Sequence, residues 1–374
     1  MEQRVIETEC QYELVGEWIL KNSIQKLMLV AGNSATRQSV FDYIQSFCSN
    51  NSITTFCFAD FNPNPDYSSI VNSVRLFRTE EVDGIIAIGG GSAIDVAKCI
   101  KLYSNMPGSG EDGSFLRTEI VPNKIPFLVI PTTAGTGSEA TRYAVIYYKG
   151  EKQSISHESC IPDTVVLDPA LLKSLSLYQR KATMMDAFSH AIEAYWSVNS
   201  TEESKGYSEK AIKGILDNYQ GYLNNDSSGN AGMLNAAFYA GKAINITQTT
   251  AGHAMCYKLT SLFGYAHGHS AALCNKVLFL WMLNNIDRCS DARGEQYLKD
   301  TLFDLGKAFD LKDSTSAAEF FSDFVDKLGL ELPKASAQQI EELVGSVNPV
   351  RLKNFPITLD ESTIRELYLQ IAKG

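Results

Sequence analysis

The 374-residue sequence has eight cysteines but no CxxC pair: Cys10, Cys48, Cys57, Cys99, Cys160, Cys256, Cys274 and Cys289 are scattered. Neither a zinc ribbon nor a disulfide framework is therefore indicated, and reduced, mostly buried thiols fit a cytoplasmic protein. Long apolar runs are missing too, and no stretch reaches the ~20 residues that a membrane-crossing helix needs. The opening MEQRVIETECQYELVG is charged and lacks the basic-then-apolar plan of a secretory leader. Basic residues are in deficit. With 33 Lys and Arg against 43 Asp and Glu the net charge is −10, which argues against a nucleic-acid surface but leaves room for a local basic pocket. Histidine is scarce: only five occur, and four of them lie between residues 186 and 269.

What remains is a globular chain long enough for two ordinary domains. Its first half alternates short apolar or β-branched runs with amphipathic segments. Lys26–Ala31 and Thr54–Phe58 read as strands, with helical spacing over Ser39–Cys48 and Val71–Arg78 and a turn at Asn62–Pro65. Gly84–Ile88 and Phe127–Ile130 are continuous apolar runs, as expected of parallel strands covered on both faces. This alternation predicts βαβ units and a doubly wound, mostly parallel sheet. From about Leu171 helical periodicity takes over, in Lys181–Ser197, Ser204–Asn218, Met233–Ile246, Arg293–Phe309, Thr315–Leu328 and Glu361–Ala372. We therefore expect a dinucleotide-binding α/β domain over 1–178 and an all-α, metal-binding domain over 179–374.

Gly89-Gly90-Gly91-Ser92-Ala93-Ile94-Asp95 follows an apolar strand and opens into a helical segment. That order suits a phosphate, because glycines admit the ligand close to the backbone and the N–H groups at a helix start face the anion. The run is not GxGxxG, and taken alone it also reads as ordinary turn chemistry. A second loop, Pro131-Thr132-Thr133-Ala134-Gly135-Thr136-Gly137-Ser138-Glu139, follows another apolar run and offers hydroxyls and glycines to a pyrophosphate and ribose. Two such loops at strand ends point to a dinucleotide site.

Asp186 and His190 stand i,i+4 in KATMMDAFSHAIEAYW, which puts carboxylate and imidazole on one helix face. His253 lies in TTAGHAMCY, and His267 in GYAHGHS, where Gly268 indicates a turn. One carboxylate and three imidazoles can coordinate a divalent metal and leave room for a substrate oxygen. Such a cation polarises a carbonyl while hydride passes to or from C4 of a nicotinamide. The plainer alternative is an Asp–His hydrogen bond with two buried, hydrogen-bonded imidazoles. His157 and His269 are left at that alternative, with His269 close enough in sequence to border the site.

Over nearly its whole length the chain resembles the iron-containing (group III) alcohol dehydrogenase family. The resemblance is carried by GGGSAIDVAK, PTTAGTGSEAT, VVLDP, DAFSHAIEAYWS, HAMCY followed by AHGHS, and RLKNFP. It implies NAD(P) in the cleft of a two-domain fold, as in dehydroquinate-synthase-like proteins. It also implies a divalent metal, Fe²⁺ or Zn²⁺, on Asp186, His190, His253 and His267. Cofactor contacts would fall on Gly89, Gly90, Gly91, Ser92, Asp95, Thr132, Thr133 and Ser138. Relatives are often dimers or larger, and the N-terminal segment would suit an intermolecular strand.

Two positions depart from the family pattern. Many relatives carry a histidine four residues after the third ligand, placed to assist proton relay or cofactor positioning; here Tyr257 stands there, as a proton-passing hydroxyl or as packing. NAD-preferring relatives often end the first strand in an Asp that repels a 2′-phosphate. Gly32 replaces it, with Asn33, Ser34 and Arg37 able to donate to a phosphate, so NADPH is expected to be accepted and preferred over NADH. The alternative is that Gly32 merely makes a turn.

In wording the chain is most similar to the phosphonoacetaldehyde reductase branch, through SEATRYAVIYYKGEKQSISHES, WSVNSTEES and AINITQTTAGHAMCYKLT. That similarity implies reduction of a phosphonate-bearing aldehyde to 2-hydroxyethylphosphonate. Arg142 and Lys258 are the expected anion contacts, and Lys152, in a hairpin-like stretch, is a weaker one. A neutral short-chain alcohol or diol is the rival substrate. A dehydroquinate-synthase-like cyclase is a rival enzyme class whose metal set resembles one acid and two histidines. A non-catalytic dinucleotide-binding protein is the third reading, and four converging ligands would be costly there without a metal.

Overall fold

The computed structural model describes residues 3–373; Met1, Glu2 and Gly374, which the expected domain ranges include, lie outside the described residues. The chain divides into two compact units, Met1–Thr133 with Gly137–Ser174, and Ala134–Thr136 with Leu175–Gly374.

The first unit is built on β1 (Arg4–Glu7), β2 (Lys26–Ala31), β3 (Thr54–Phe58), β4 (Gly84–Gly89), β5 (Phe127–Pro131) and β8 (Thr164–Leu167), in the order β1-β8-β5-β4-β2-β3. Every pairing is parallel. Helices α1 (Glu13–Lys21), α2 (Ser39–Asn50), α3 (Tyr67–Thr79) and α4 (Gly91–Ser104) connect the strands. Alternate residues of β4 enter different cores. Ile85 and Ala87 pack with side chains of α3 and α4, whereas Ile86 and Ile88 pack with side chains of α1 and α2. Both faces of the sheet are thus covered, which is why its strands read as unbroken apolar runs.

β6 (Tyr143–Tyr148) and β7 (Glu151–Ser156) form a separate antiparallel hairpin whose turn residues, Lys149 and Gly150, both have positive φ. Lys152 sits in this hairpin opposite Tyr147. The N-terminal segment forms an edge strand of this sheet, with Val5 in register with Val165.

The second unit is helical, comprising α5 (Leu177–Trp196), α6 (Glu202–Leu223), α7 (Ser227–Thr247), α8 (Ala251–Phe263), α9 (His267–Leu283), α10 (Glu295–Ala308), α11 (Ser314–Lys327), α12 (Ala337–Ser346), α13 (Pro349–Leu352) and α14 (Glu361–Lys373). α5 starts in a reciprocal cap between Ser176 and Gln179 and is buried along most of its length. Among the described residues no helix is long and apolar enough to cross a membrane.

The turn expected at Gly268 is not there. The chain turns earlier, at Gly264 with φ +70, and His267 and Gly268 already begin α9. Gly268 has a packing reason instead. A Cβ at this position would land on the Ala182 carbonyl oxygen and stand 2.6 Å from the Asp186 Cβ, so only glycine lets α9 cross α5 this closely.

Candidate metal centre and cofactor loops

Asp186, His190 and Glu193 occupy positions i, i+4 and i+7 of α5, one face of one helix. Close approach at Gly268 brings the first residue of α9, His267, to that face, and α8 contributes His253. Asp186 Oδ1 lies 3.4 Å from His253 Nε2 and 4.0 Å from His267 Nε2. Ligand atoms of these three side chains all fall within 4.8 Å of one another. The fourth expected ligand, His190, falls outside this group of three; its ring stacks on His253 with centroids 4.4 Å apart and planes at 14°. Asp186 and His253 are buried, while the His267 side chain is 37% exposed and forms the open side of the cluster.

The donor set fits a divalent cation. Asp186 Oδ1, His190 Nδ1 and His253 Nε2 are all buried without a hydrogen-bond partner, an arrangement that costs free energy unless something else satisfies it. Ligands ~2.1 Å from a shared tetrahedral ion stand roughly 3.4 Å apart, which is the scale of the Asp186–His253 separation.

Charge is arranged to match. Burial alone would raise the Asp186 carboxyl, but the surrounding imidazoles of His190, His253 and His267 hold it well below its ordinary range. Burial pushes His190 down to about 4, so this ring is neutral and able to ligate at physiological pH. For His253 burial acts downward, yet Glu193 and Asp186 outweigh it and raise the ring to about 9.

Glu193 escaped the sequence reading. Its carboxylate accepts from His253 Nδ1 and also from the Thr250 amide, the Thr250 hydroxyl and Asn275 Nδ2. It therefore caps the start of α8 while orienting the imidazole. The i+7 spacing from Asp186 was the available signal. The Tyr257 ring stacks on His267 with centroids 5.3 Å apart, and its hydroxyl accepts from Arg351 Nη1 at 2.7 Å. Burial raises the Tyr257 phenol far above its ordinary value.

In the first unit, β4 runs through Gly89, with φ +154, into Gly90 and the start of α4 at Gly91 and Ser92. The residue at the start of this helix, Gly90, has no side chain to cap it. A Cβ on Gly90 would press on Thr133 at 3.2 Å, so the two loops touch there, and the Thr132 amide donates to the Gly89 carbonyl. Asp95 faces inward, accepting from Ser138 Oγ at 2.8 Å and from the Val145 amide at 3.0 Å. The buried Lys98, also missed from sequence, donates to the carbonyls of Ser138, Thr141 and Tyr143. Asp95 and Lys98 together pin the second loop and the hairpin to α4. Gly32 ends β2 in a turn whose Asn33, Ser34 and Arg37 are exposed.

The expected anion contacts are engaged with carboxylates. Arg142 pairs with Glu158 at 2.7 Å in the first unit, and Lys258 pairs with Glu342 at 2.5 Å in the second. His269 bonds through both nitrogens, to the Tyr178 hydroxyl and the Glu331 carbonyl. His157 caps a short turn by accepting from the Ser159 amide.

The family described as iron-containing alcohol dehydrogenase matches residues 3–169, and the C-terminal part of the Fe-containing alcohol dehydrogenase family matches residues 181–363. Long-chain-alcohol dehydrogenase 1 of Geobacillus thermodenitrificans is 31% identical over 66% of this chain and 64% of its own length. Phosphonoacetaldehyde reductase of Streptomyces viridochromogenes is 30% identical over 63% of this chain and 62% of its own. In both cases the match spans less than two thirds of the relative. The solved sulfoacetaldehyde reductase from Bifidobacterium kashiwanohense, in complex with NAD⁺, superposes with a TM-score of 0.86 over 99% of this chain and 97% of that one. At 22% identity this is a likeness of fold.

Proposed function

The chain belongs to the iron-containing alcohol dehydrogenase family, and on that premise we propose that it is an NAD(P)H-dependent aldehyde reductase. An aldehyde, NAD(P)H and a proton give a primary alcohol and NAD(P)⁺. The favoured substrate is phosphonoacetaldehyde, reduced to 2-hydroxyethylphosphonate. The observation that carries the reading is the convergence of ligand atoms of Asp186, His253 and His267 within 4.8 Å, with buried, unpartnered Oδ1 and Nε2 atoms on the first two.

Asp186, His190, His253 and His267 hold the metal, Fe²⁺ or Zn²⁺. When bound, the cation supplies polarisation of a carbonyl and the nicotinamide supplies hydride at C4. Glu193 keeps His253 turned toward Asp186, and burial of both side chains excludes water from that side. The phenol of Tyr257, raised by burial, holds its proton too tightly to act as a general acid near neutrality. It packs against His267 instead, leaving proton delivery to water and the ribose hydroxyls. Gly89, Gly90, Gly91, Ser92, Thr132 and Thr133 take the pyrophosphate and ribose, with Asp95 and Ser138 fixing the loops. Gly32, Asn33 and Ser34 admit the 2′-phosphate of NADPH. Arg142 and Lys258 offer charge to the phosphonate, each after giving up a carboxylate. The protein works in the cytoplasm as a homodimer or larger assembly.

A neutral short-chain aldehyde is the second reading, favoured by the pairing of Arg142 and Lys258 with Glu158 and Glu342. A matched rate assay separates the two. Protein loaded anaerobically with Fe²⁺ is given NADPH or NADH with phosphonoacetaldehyde, propanal or glycolaldehyde. Preference for the phosphonate supports the first reading. Equal or faster turnover of the neutral aldehydes removes it, and no turnover of any aldehyde removes the reductase.

A further inference from the structure

A chain of contacts leads outward from the candidate metal cluster to Arg351, the first residue of RLKNFP, which the expected ligand set and the expected anion contacts leave without a role. The Tyr257 ring lies against His267, inclined to it by 25°. The guanidinium carbon of Arg351 sits 4.7 Å from the centroid of the same tyrosine ring, and its Nη1 donates to the tyrosine hydroxyl. One tyrosine therefore touches both the exposed ligand of the cluster and a guanidinium. Arg351 is carried on α13, which is fixed at its start by Pro349 and by the Asn348 side chain accepting from the Val350 amide. The group is half-buried.

Its charge is handled unlike that of its neighbours. Lys258 pairs with Glu342, Arg365 with Glu341 and Glu361, and Arg288 with Asp360. Among the described residues Arg351 forms no ion pair, and its one side-chain hydrogen bond goes to a neutral oxygen. A guanidinium presents five N–H donors in a rigid fork, so most of this one stays available. In a chain of net charge −10, a half-buried guanidinium stacked on an aromatic ring and spared by every carboxylate is organised for an anion that comes from outside. The fork matches two oxygens of a phosphonate or a sulfonate.

We propose that Arg351, seated on Tyr257 beside His267, recognises the oxyanion tail of the substrate, a phosphonate or sulfonate carried on the carbon chain of the aldehyde. The inference rests on the reductase reading above for the identity of the site, and it gives that site its substrate class. Tyr257 then acts as a spacer between the ligand His267 and the tail-binding guanidinium. A neutral aldehyde leaves the guanidinium unfilled.

The test titrates methylphosphonate and, separately, methanesulfonate into the metal-loaded protein by calorimetry, for the wild type, Arg351→Met and Arg351→Lys. Arg351→Met is expected to weaken the recognised anion by about 10- to 100-fold, the range set by losing charge-assisted hydrogen bonds. Arg351→Lys is expected to recover part of that loss. The anion that binds the wild type more tightly identifies the tail. In turnover, the ratio of kcat/KM for the matching anionic aldehyde over propanal falls by the same factor in Arg351→Met. Unchanged anion affinity in Arg351→Met overturns the proposal, as does failure of the wild type to bind either anion. If Arg351→Met does not fold, judged by circular dichroism, Arg351→Lys alone decides, and wild-type affinity in it overturns the bidentate recognition. Arg351-dependent anion binding without turnover of any aldehyde upholds the anion site and removes the reductase reading instead.

Discussion

Glu193 Oε1 lies 2.5 Å from His253 Nδ1, and both side chains are buried. A carboxylate on Nδ1 holds a proton there, so Nε2, 3.4 Å from Asp186 Oδ1, is the nitrogen that gives up its proton when the ring becomes neutral. Glu193→Gln keeps the shape of the side chain but removes its charge. We expect metal affinity to fall by about 10- to 100-fold, as for other carboxylates that orient ligand histidines, with circular dichroism unchanged. Chelator competition measures this, and an unaltered affinity would show that ring stacking with His190 suffices to place His253.

The same pair predicts opposite pH trends for folding and for metal binding. His253 is raised from 6.5 to about 9, because Glu193 and Asp186 outweigh burial. A group whose folded-state pKa is raised contributes stability that is complete below about pH 6.5 and is lost as pH rises through about 9. Metal-free protein should therefore show a Tm that declines across this window. Metal must displace the same proton, so affinity should climb by about tenfold per pH unit over the window and then level off. Parallel thermal melts and metal titrations check both slopes, and a pH-independent affinity would mean that His253 is already neutral.

His267 is the half-exposed member of the cluster, and its ring lies against those of His253 and Tyr257. His267→Ala should lose metal and aldehyde reduction together while the stability of the metal-free protein changes by no more than about 1 kcal/mol, as for most partly exposed positions. Metal content by atomic absorption and turnover are read on the same sample. Retained turnover in metal-free protein would remove the mechanism.

Gly268 sets the geometry that delivers His267. Gly268→Ala places a methyl group on the Ala182 carbonyl oxygen and against Asp186, so α9 must shift off α5. Overpacking of this kind costs about 1–3 kcal/mol. It should also weaken metal binding more than its stability loss explains, because the displaced residue is next to a ligand. Normal affinity in a destabilised variant would show that His267 is positioned by its own side-chain contacts.

Much of this arrangement is legible in the sequence because the signals are local. The continuous apolar runs of β4 and β5 declare a sheet covered on both faces, and the i,i+4 spacing of Asp186 and His190 declares a shared helix face. Helices α8 and α9 were harder to read, since they are buried almost all round and show little periodicity. There Gly268 reads as a turn residue, whereas its role is set by a residue 86 positions earlier, Ala182. Arg351 and Tyr257 are 94 residues apart, and no local pattern pairs them. Arg142 and Lys258 could be named as cations from sequence, but their carboxylate partners, Glu158 and Glu342, emerge only from the fold.

The last prediction concerns the cofactor. Gly32 closes β2 with its carbonyl accepting from the Ala35 and Thr36 amides, and a Cβ there would meet only the Phe61 ring, at 3.9 Å. An aspartate therefore fits without strain, and its carboxylate would stand among the exposed Asn33, Ser34 and Arg37. A carboxylate accepts from a ribose 2′-hydroxyl and repels a 2′-phosphate. Gly32→Asp should shift the kcat/KM ratio toward NADH by about tenfold or more, equivalent to ~1.4 kcal/mol of discrimination. The shift should shrink as ionic strength rises, since it is electrostatic and near the surface. Steady-state rates with each nucleotide at low and high salt measure it, and an unchanged ratio at low salt would place Gly32 away from the ribose and leave it a turn residue only.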